Sequence, residues 1–113
     1  MNNIDCKVII GLPVYNGEQT IRRSIESILS QTFKNFILII SDNASTDSTQ
    51  IICEEYEKKD KRIKYIRQKK NLGSLKNFHI LLNMANSKYF VWIAHDDFWD
   101  NSFLEKNIRI LDL

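Results

Sequence analysis

The sequence predicts an α/β fold, a mainly parallel sheet with helices packed on both faces in three layers. Three observations carry that prediction. Four short apolar runs alternate with four segments whose apolar residues recur at helical spacing. Two of the runs, FILIIS (36–41) and YFVWIA (89–94), are continuous rather than alternating, the pattern of strands covered on both faces. Strict β-α alternation then calls for right-handed crossovers between parallel strands.

Residues 7–12, KVIIGL, form the first strand, which Pro13, the only proline, should stop. Asn16-Gly17-Glu18-Gln19 reads as a capping box opening the first helix. Ile21, Ile25, Ile28 and Leu29 give that helix its apolar stripe through about Gln31, with Arg22, Arg23 and Glu26 facing solvent. The run 36–41 is the second strand, followed by Asp42 to Asp47, dense in capping residues. Ile51, Ile52 and Tyr56 mark the second helix, and Lys58 and Lys59 suit its C-terminal dipole. IKYIR (63–67) alternates as an edge strand should, and Asn71 to Ser74 turn the chain into a third helix. Leu75, Phe78, Leu82 and Ala85 are its expected buried stripe, with His79 half-buried beside it. After the strand 89–94, Ser102-x-x-Glu105 reads as a capping box for a fourth helix buried through Phe103, Leu104, Ile108 and Leu111.

The 113 residues make one domain at most, and 43% hydrophobic with 27% charged residues is ordinary for a globular chain. A net charge of +2 gives no case for nucleic acid or an anionic membrane as the main partner, and no nucleic-acid partner is expected. Cys6 and Cys53 lack metal-ligand spacing and read as reduced thiols. No apolar run reaches the roughly 18 residues of a membrane span. A cytoplasmic location is expected, with membrane association if another segment of a longer protein provides an anchor.

In a sheet of this kind ligands bind beyond the carboxyl ends of the strands. Four strand-end segments gather there: Pro13-Val14-Tyr15-Asn16, Asp42-Asn43, Asn71-Leu72-Gly73 and His95-Asp96-Asp97. Adjacent carboxylates are hard ligands suited to Mg²⁺ or Mn²⁺, which can hold a diphosphate. The competing reading of Asp96-Asp97 is a polar turn before the fourth helix. Asp42 stands where a dinucleotide enzyme places its ribose-binding acid, but no Gly-x-Gly-x-x-Gly or Walker A sequence occurs. A nucleotide diphosphate held through a metal is the reading that remains. A non-catalytic nucleotide-binding or interaction module is the alternative.

The segments Pro13 to Glu18, Ser41 to Asp47, Asn71-Leu72-Gly73 with Asn77, and Ala94 to Asp97 resemble the family 2 glycosyltransferases, in order and in spacing. That resemblance implies the GT-A fold, a Rossmann-like α/β/α arrangement, and inverting transfer from a nucleotide-diphosphate sugar, typically a UDP-sugar. It implies a sugar or lipid-linked acceptor and a role in bacterial cell-surface polysaccharide synthesis. By the same resemblance Pro13, Tyr15 and Glu18 line the base pocket, and Asp42 accepts a hydrogen bond from the base. Asn71, Gly73 and Lys76 lie near base and ribose, Asp96 faces ribose or diphosphate, and Asp97, assisted by Asp96, binds Mn²⁺ or Mg²⁺. Asp47 is expected to cap the second helix and Asn77 to be structural; His95 is read as a solvent-facing loop residue, with a supplementary hold on the metal as its alternative. Ala94 departs from the pattern, since many members carry an acid there. The resemblance further implies that residues 1–113 are the N-terminal donor-binding part of a catalytic domain, ending after the fourth β-α unit, with the catalytic base beyond them. The strand 89–94 would then lie at an open edge able to pair with a second copy.

Overall fold

In the computed structural model, which describes residues 6–113, the chain runs β1 (Val8–Val14), α1 (Ile21–Leu29), β2 (Phe36–Asp42), α2 (Thr49–Lys59), β3 (Ile63–Arg67), α3 (Ser74–Met84), β4 (Tyr89–Trp92) and α4 (Phe103–Leu111). The four strands are parallel in the order β3-β2-β1-β4. The order reverses direction at β1, and there the crevice beyond the carboxyl edge opens. The α/β prediction and the alternation of elements hold.

Period-2 alternation divides the sheet between two cores. Ile10, Leu12, Leu38 and Ile40 face α1, α2 and α4, meeting Ile21, Ile25, Ile28, Ile52, Tyr56, Leu104 and Ile108. Ile9 and Ile39 face the opposite way and pack on Leu81, with Phe90 and Met84 beside them. Three helices thus cover one face and α3 alone covers the other.

Several local expectations yield to this packing. Pro13 does not stop β1, and lies in register with Ser41 of β2. Gly11 turns its carbonyl toward β4, accepting from Ile93 N, and Val14 turns its carbonyl toward β2, accepting from Asn43 N. Alternation therefore points the nitrogen of Pro13 to the β4 side, beyond the last β1–β4 pair at Gly11 and Trp92, where no donor is needed. The buried face of α3 runs through Asn77, Leu81 and the half-buried Met84, while Leu75 and Leu82 are exposed. His79 is exposed as well. In α2 Ile51 faces solvent and Cys53 replaces it in the core; burial pushes that thiol up to about 12, which leaves it unreactive. At the sheet edge β4 is half-buried rather than covered on both faces, and Trp92 is 53% exposed.

Neither capping box forms. Asn16 turns its side chain to accept from Thr46 N (2.8 Å), and α1 starts instead on the Gly17 carbonyl. Ser102 donates to Asp100, and Leu111 stays exposed. The start of α4 is held by Gln31, a wholly buried residue just past α1. Its side-chain oxygen accepts from Leu104 N (3.0 Å), and its amide donates to the carbonyls of Asp100 (2.7 Å) and Ser27 (3.1 Å). Replacing Gln31 by Leu keeps the volume and strands these buried backbone groups, so a loss of about 2–3 kcal/mol is expected from urea denaturation. A loss under about 0.5 kcal/mol would mean that Gln31 does not hold α4.

Candidate functional site

The site is built by stitching the first two strand-end loops together. Asn16 N donates to Ser45 Oγ (2.8 Å), Gly17 N to Thr49 Oγ1 (2.9 Å) and Glu18 N to Asp47 Oδ2 (3.2 Å). In return Thr46 N donates to Asn16 Oδ1, and Ser48 N donates to Glu18 Oε1 (2.9 Å). Asp47 also accepts from the amide and the hydroxyl of Thr49, so it does cap α2. Partial burial pushes the Asp47 carboxyl up, but these hydrogen bonds outweigh it and hold the group below its ordinary range. A lowered carboxylate pKa stabilises the fold above the unfolded value, and the contribution is lost as pH falls through the folded value.

Behind this seam lies Asp42, with no exposed surface. Its Oδ1 accepts from the amide (2.9 Å) and hydroxyl (2.6 Å) of Ser45, and its Oδ2 accepts from Tyr65 Oη (2.6 Å) and Arg67 Nη1 (3.2 Å). Burial, and then the Asp42 carboxylate that its hydroxyl faces, push the Tyr65 phenol above its ordinary range. A carboxylate offers about four acceptor positions, and all four are taken. The expected direct contact with a base does not match this geometry. Asp42 shapes the loops around the cleft from behind it.

The third loop is tied on by Asn43, whose side chain accepts from Leu72 N (2.8 Å) and donates to Asn71 Oδ1 (2.9 Å). Gly73 follows at φ +89° and ψ +155°, a conformation essentially reserved for glycine. Asn77 is structural as expected, exchanging hydrogen bonds with Ser41. The fourth loop is tied to α1. The Ser24 hydroxyl donates to the carbonyls of His95 (2.7 Å) and Asp97, and Thr20 Oγ1 meets His95 Nδ1 at 3.0 Å. Arg23, expected in solvent, lays its guanidinium 3.7 Å over the Phe98 ring of this loop.

Two adjoining clefts result. The first, about 440 Å³, is mostly apolar and runs from Pro13, Val14 and Tyr15 past Asn43 to Leu75, Phe78 and Trp92. The second, about 620 Å³, carries the acids and is lined by Asn16, Glu18, Thr20, Asp47 and Asp96 among others. His95 lines both, half-buried and not solvent-facing. A Cβ on Gly17 would lie 2.9 Å from His95 Nδ1, so only glycine lets the ring settle there.

Of the expected site residues, Pro13 and Tyr15 line the first cleft, while Glu18 and Asp96 line the second. Asn71 and Gly73 stand on the flanking loop; the side-chain oxygen of Asn71 is occupied by Asn43 and by Gly73 N. Lys76 is exposed and lines neither cleft. Asp97 is exposed one residue from Asp96, closing a turn onto the Ala94 carbonyl. Neither carboxylate of that pair engages a protein partner among the described residues. Sequence reasoning placed Asn43 and His95 on the strand-end loops but read neither as lining a cleft, and it missed the aromatic pair Phe78 and Trp92, whose rings meet edge-to-face at 4.9 Å. The available signal was position, because Trp92 ends β4 and Phe78 lies in the opening turns of α3, both at the carboxyl edge.

The glycosyl transferase family 2 model matches residues 9–112, across all four strand-end loops. The chain belongs to glycosyl transferase family 2. It is 42% identical over 98 residues to an uncharacterised glycosyltransferase of Haemophilus influenzae, matching 87% of this chain and 30% of that protein. It is 32% identical over 111 residues to TuaG of Bacillus subtilis, described as a candidate glycosyltransferase of teichuronic acid biosynthesis, matching 98% of this chain and 44% of TuaG. Among solved structures, S. aureus TarS 1–349 in complex with UDP-GlcNAc superposes with a TM-score of 0.87 at 27% identity, covering 94% of this chain and 31% of that one. The chain spans less than half the length of each of these three proteins, and it shares the GT-A fold of the TarS structure.

Replacing Asp42 by Asn should cost about 2–4 kcal/mol in urea denaturation, because the Arg67 ion pair loses its anion and one of the two donor pairs, that of Ser45 or that of Tyr65 and Arg67, loses its acceptor. Tyr65→Phe, which removes a single hydrogen bond, should cost about 1 kcal/mol. The reverse ranking would contradict the organising role of Asp42.

Proposed function

We propose that this chain forms the nucleotide-sugar-binding part of an inverting glycosyltransferase that uses a UDP-sugar in cell-surface polysaccharide synthesis. The observation that carries the reading is the junction of an apolar cleft with an acid-bearing one at the carboxyl edge of the sheet. A nucleoside diphosphate has the same division, a flat base at one end and concentrated negative charge at the other. The UDP-GlcNAc complex of TarS supports a uridine donor, and the teichuronic acid assignment of TuaG supports a polysaccharide product.

On this reading the base lies between Tyr15 and the α3 wall of the first cleft, and the diphosphate enters the second. Glu18, Asp47 and Asp96 would repel a diphosphate, so a cation must accompany it. The residues fit such a cation. Asp96 and Asp97 are adjacent, exposed and unengaged, and no group of three or more potential metal-ligating side chains exists among the described residues. One or two carboxylates, completed by phosphate oxygens and water, is the usual setting for Mg²⁺ and suits Mn²⁺. When bound, the metal would neutralise charge developing on the departing diphosphate. Asp97 would hold it, and Asp96 would assist from the wall of the second cleft. The role of catalytic base is assigned to none of residues 6–113. A sugar or lipid-linked acceptor, a cytoplasmic site of action and pairing of a second copy along the open β4 edge belong to the same proposal.

Isothermal titration of UDP with and without Mn²⁺ tests it. Wild-type chain should bind UDP at least about tenfold more tightly with Mn²⁺, and Asp97→Ala should abolish that gain. Metal-independent binding, unchanged in Asp97→Ala, would overturn the donor-site reading and leave a non-catalytic nucleotide-binding module.

A further inference from the structure

We propose that His95 is a phosphate-contacting residue of the donor site, presenting Nε2 to the diphosphate where the two clefts meet. The inference rests on the donor reading above and deepens it.

Among the described residues only His95 lines both clefts. Thr20 Oγ1 holds Nδ1 at 3.0 Å, the missing side chain of Gly17 leaves the space in which the ring lies, and its own carbonyl is held by Ser24. Nε2 is the ring nitrogen left without a protein partner among the described residues. The Thr20 hydroxyl lies 3.0 Å from Nδ1 and 3.5 Å from the Gly17 carbonyl. With that hydroxyl turned to the nearer Nδ1, Nε2 carries an N–H and is the donor presented to the ligand.

The surroundings say what that donor is for. The second cleft is lined by three carboxylates and by no lysine or arginine. A phosphate oxygen at its entrance therefore meets only neutral donors from the protein, the side chains of Asn16, Gln19 and Thr20 and the ring of His95. His95 stands where the apolar cleft passes into the acidic one, next in sequence to Asp96. A prepaid donor of this kind favours the charged end of the ligand over the nucleoside.

Two near-isosteric variants separate this from a packing role. Gln places an amide nitrogen near the position of Nε2, whereas Asn places one near Nδ1. With Mn²⁺ present, calorimetry of UDP and competition by uridine should show His95→Asn losing about tenfold in UDP affinity and less than about twofold for uridine. His95→Gln should keep most of the UDP affinity. Thermal unfolding of both variants reports the structural cost separately. Equal losses for UDP and uridine, or rescue by Asn and not by Gln, would overturn the phosphate role and leave His95 as a loop support held by Thr20. Absence of UDP binding by the wild-type chain would overturn the donor reading together with it.

Discussion

The buried carboxylate of Asp42 is the constraint on which the carboxyl edge of this sheet depends. An acid with no exposed surface survives only if its charge is matched and its lone pairs are filled. Ser45, Tyr65 and Arg67 do both, and each comes from a different place: the β2–α2 loop, β3, and the end of β3. The direction in which the β2–α2 loop leaves the sheet is thereby fixed. Ser45 then passes the constraint to Asn16, and Asp47 passes it to Glu18. Two loops about thirty residues apart in sequence become one wall. The left-handed backbone at Asn16 (φ +51°) and Ala44 (φ +67°) is held in place by the same bonds.

The other half of the site is organised differently. The acid-bearing loop after β4 has no buried charge of its own. It is carried by α1, through Ser24, Thr20 and the Arg23–Phe98 contact, and its far end is fixed by Gln31. Helix α1 therefore sets the distance between the stitched wall and the free carboxylates. That division suits a site in which one side shapes the pocket and the other meets a cation. Asp96 and Asp97 stay unpaired because the structure spends its internal donors elsewhere. At the opposite end of the strands Asp112 is fully committed to Lys7, Lys88 and Tyr89, which hold it far below the usual carboxylate range.

The order of elements, the parallel sheet and the edge at which the site forms were legible in the sequence, because apolar periodicity and strand-end loops are local signals. The family motifs, from Pro13 to Asp97, were legible for the same reason. What the sequence hid was carried by contacts between distant residues. The Asn16 and Ser102 segments have the composition of capping boxes, yet Asn16 is taken by Thr46 of the next loop and Ser102 by Asp100 beside it. Asn77 occupies the buried face of α3 because Ser41 answers both of its polar atoms, a pairing across 36 positions. His95 looked exposed because its neighbours in sequence are acids, whereas its neighbours in space are Gly17 and Thr20. Pro13 looked like a terminator because the early end of β4, which frees its nitrogen from pairing, has no signature near residue 13.

The central claim is that base and metal-bound diphosphate occupy two clefts that share His95. Paramagnetic broadening tests it most directly, since it falls off steeply with distance from the ion. Nitrogen-15-labelled chain saturated with UDP would be titrated with substoichiometric Mn²⁺ and followed by amide spectra. The account predicts strongest broadening at Asp96, Asp97, Gly17 and Glu18, with UDP alone shifting Tyr15, Asn43 and Leu75. Broadening centred on Asp112, Tyr89 and Lys7 at the other end of the strands, or none above that of free Mn²⁺, would contradict it.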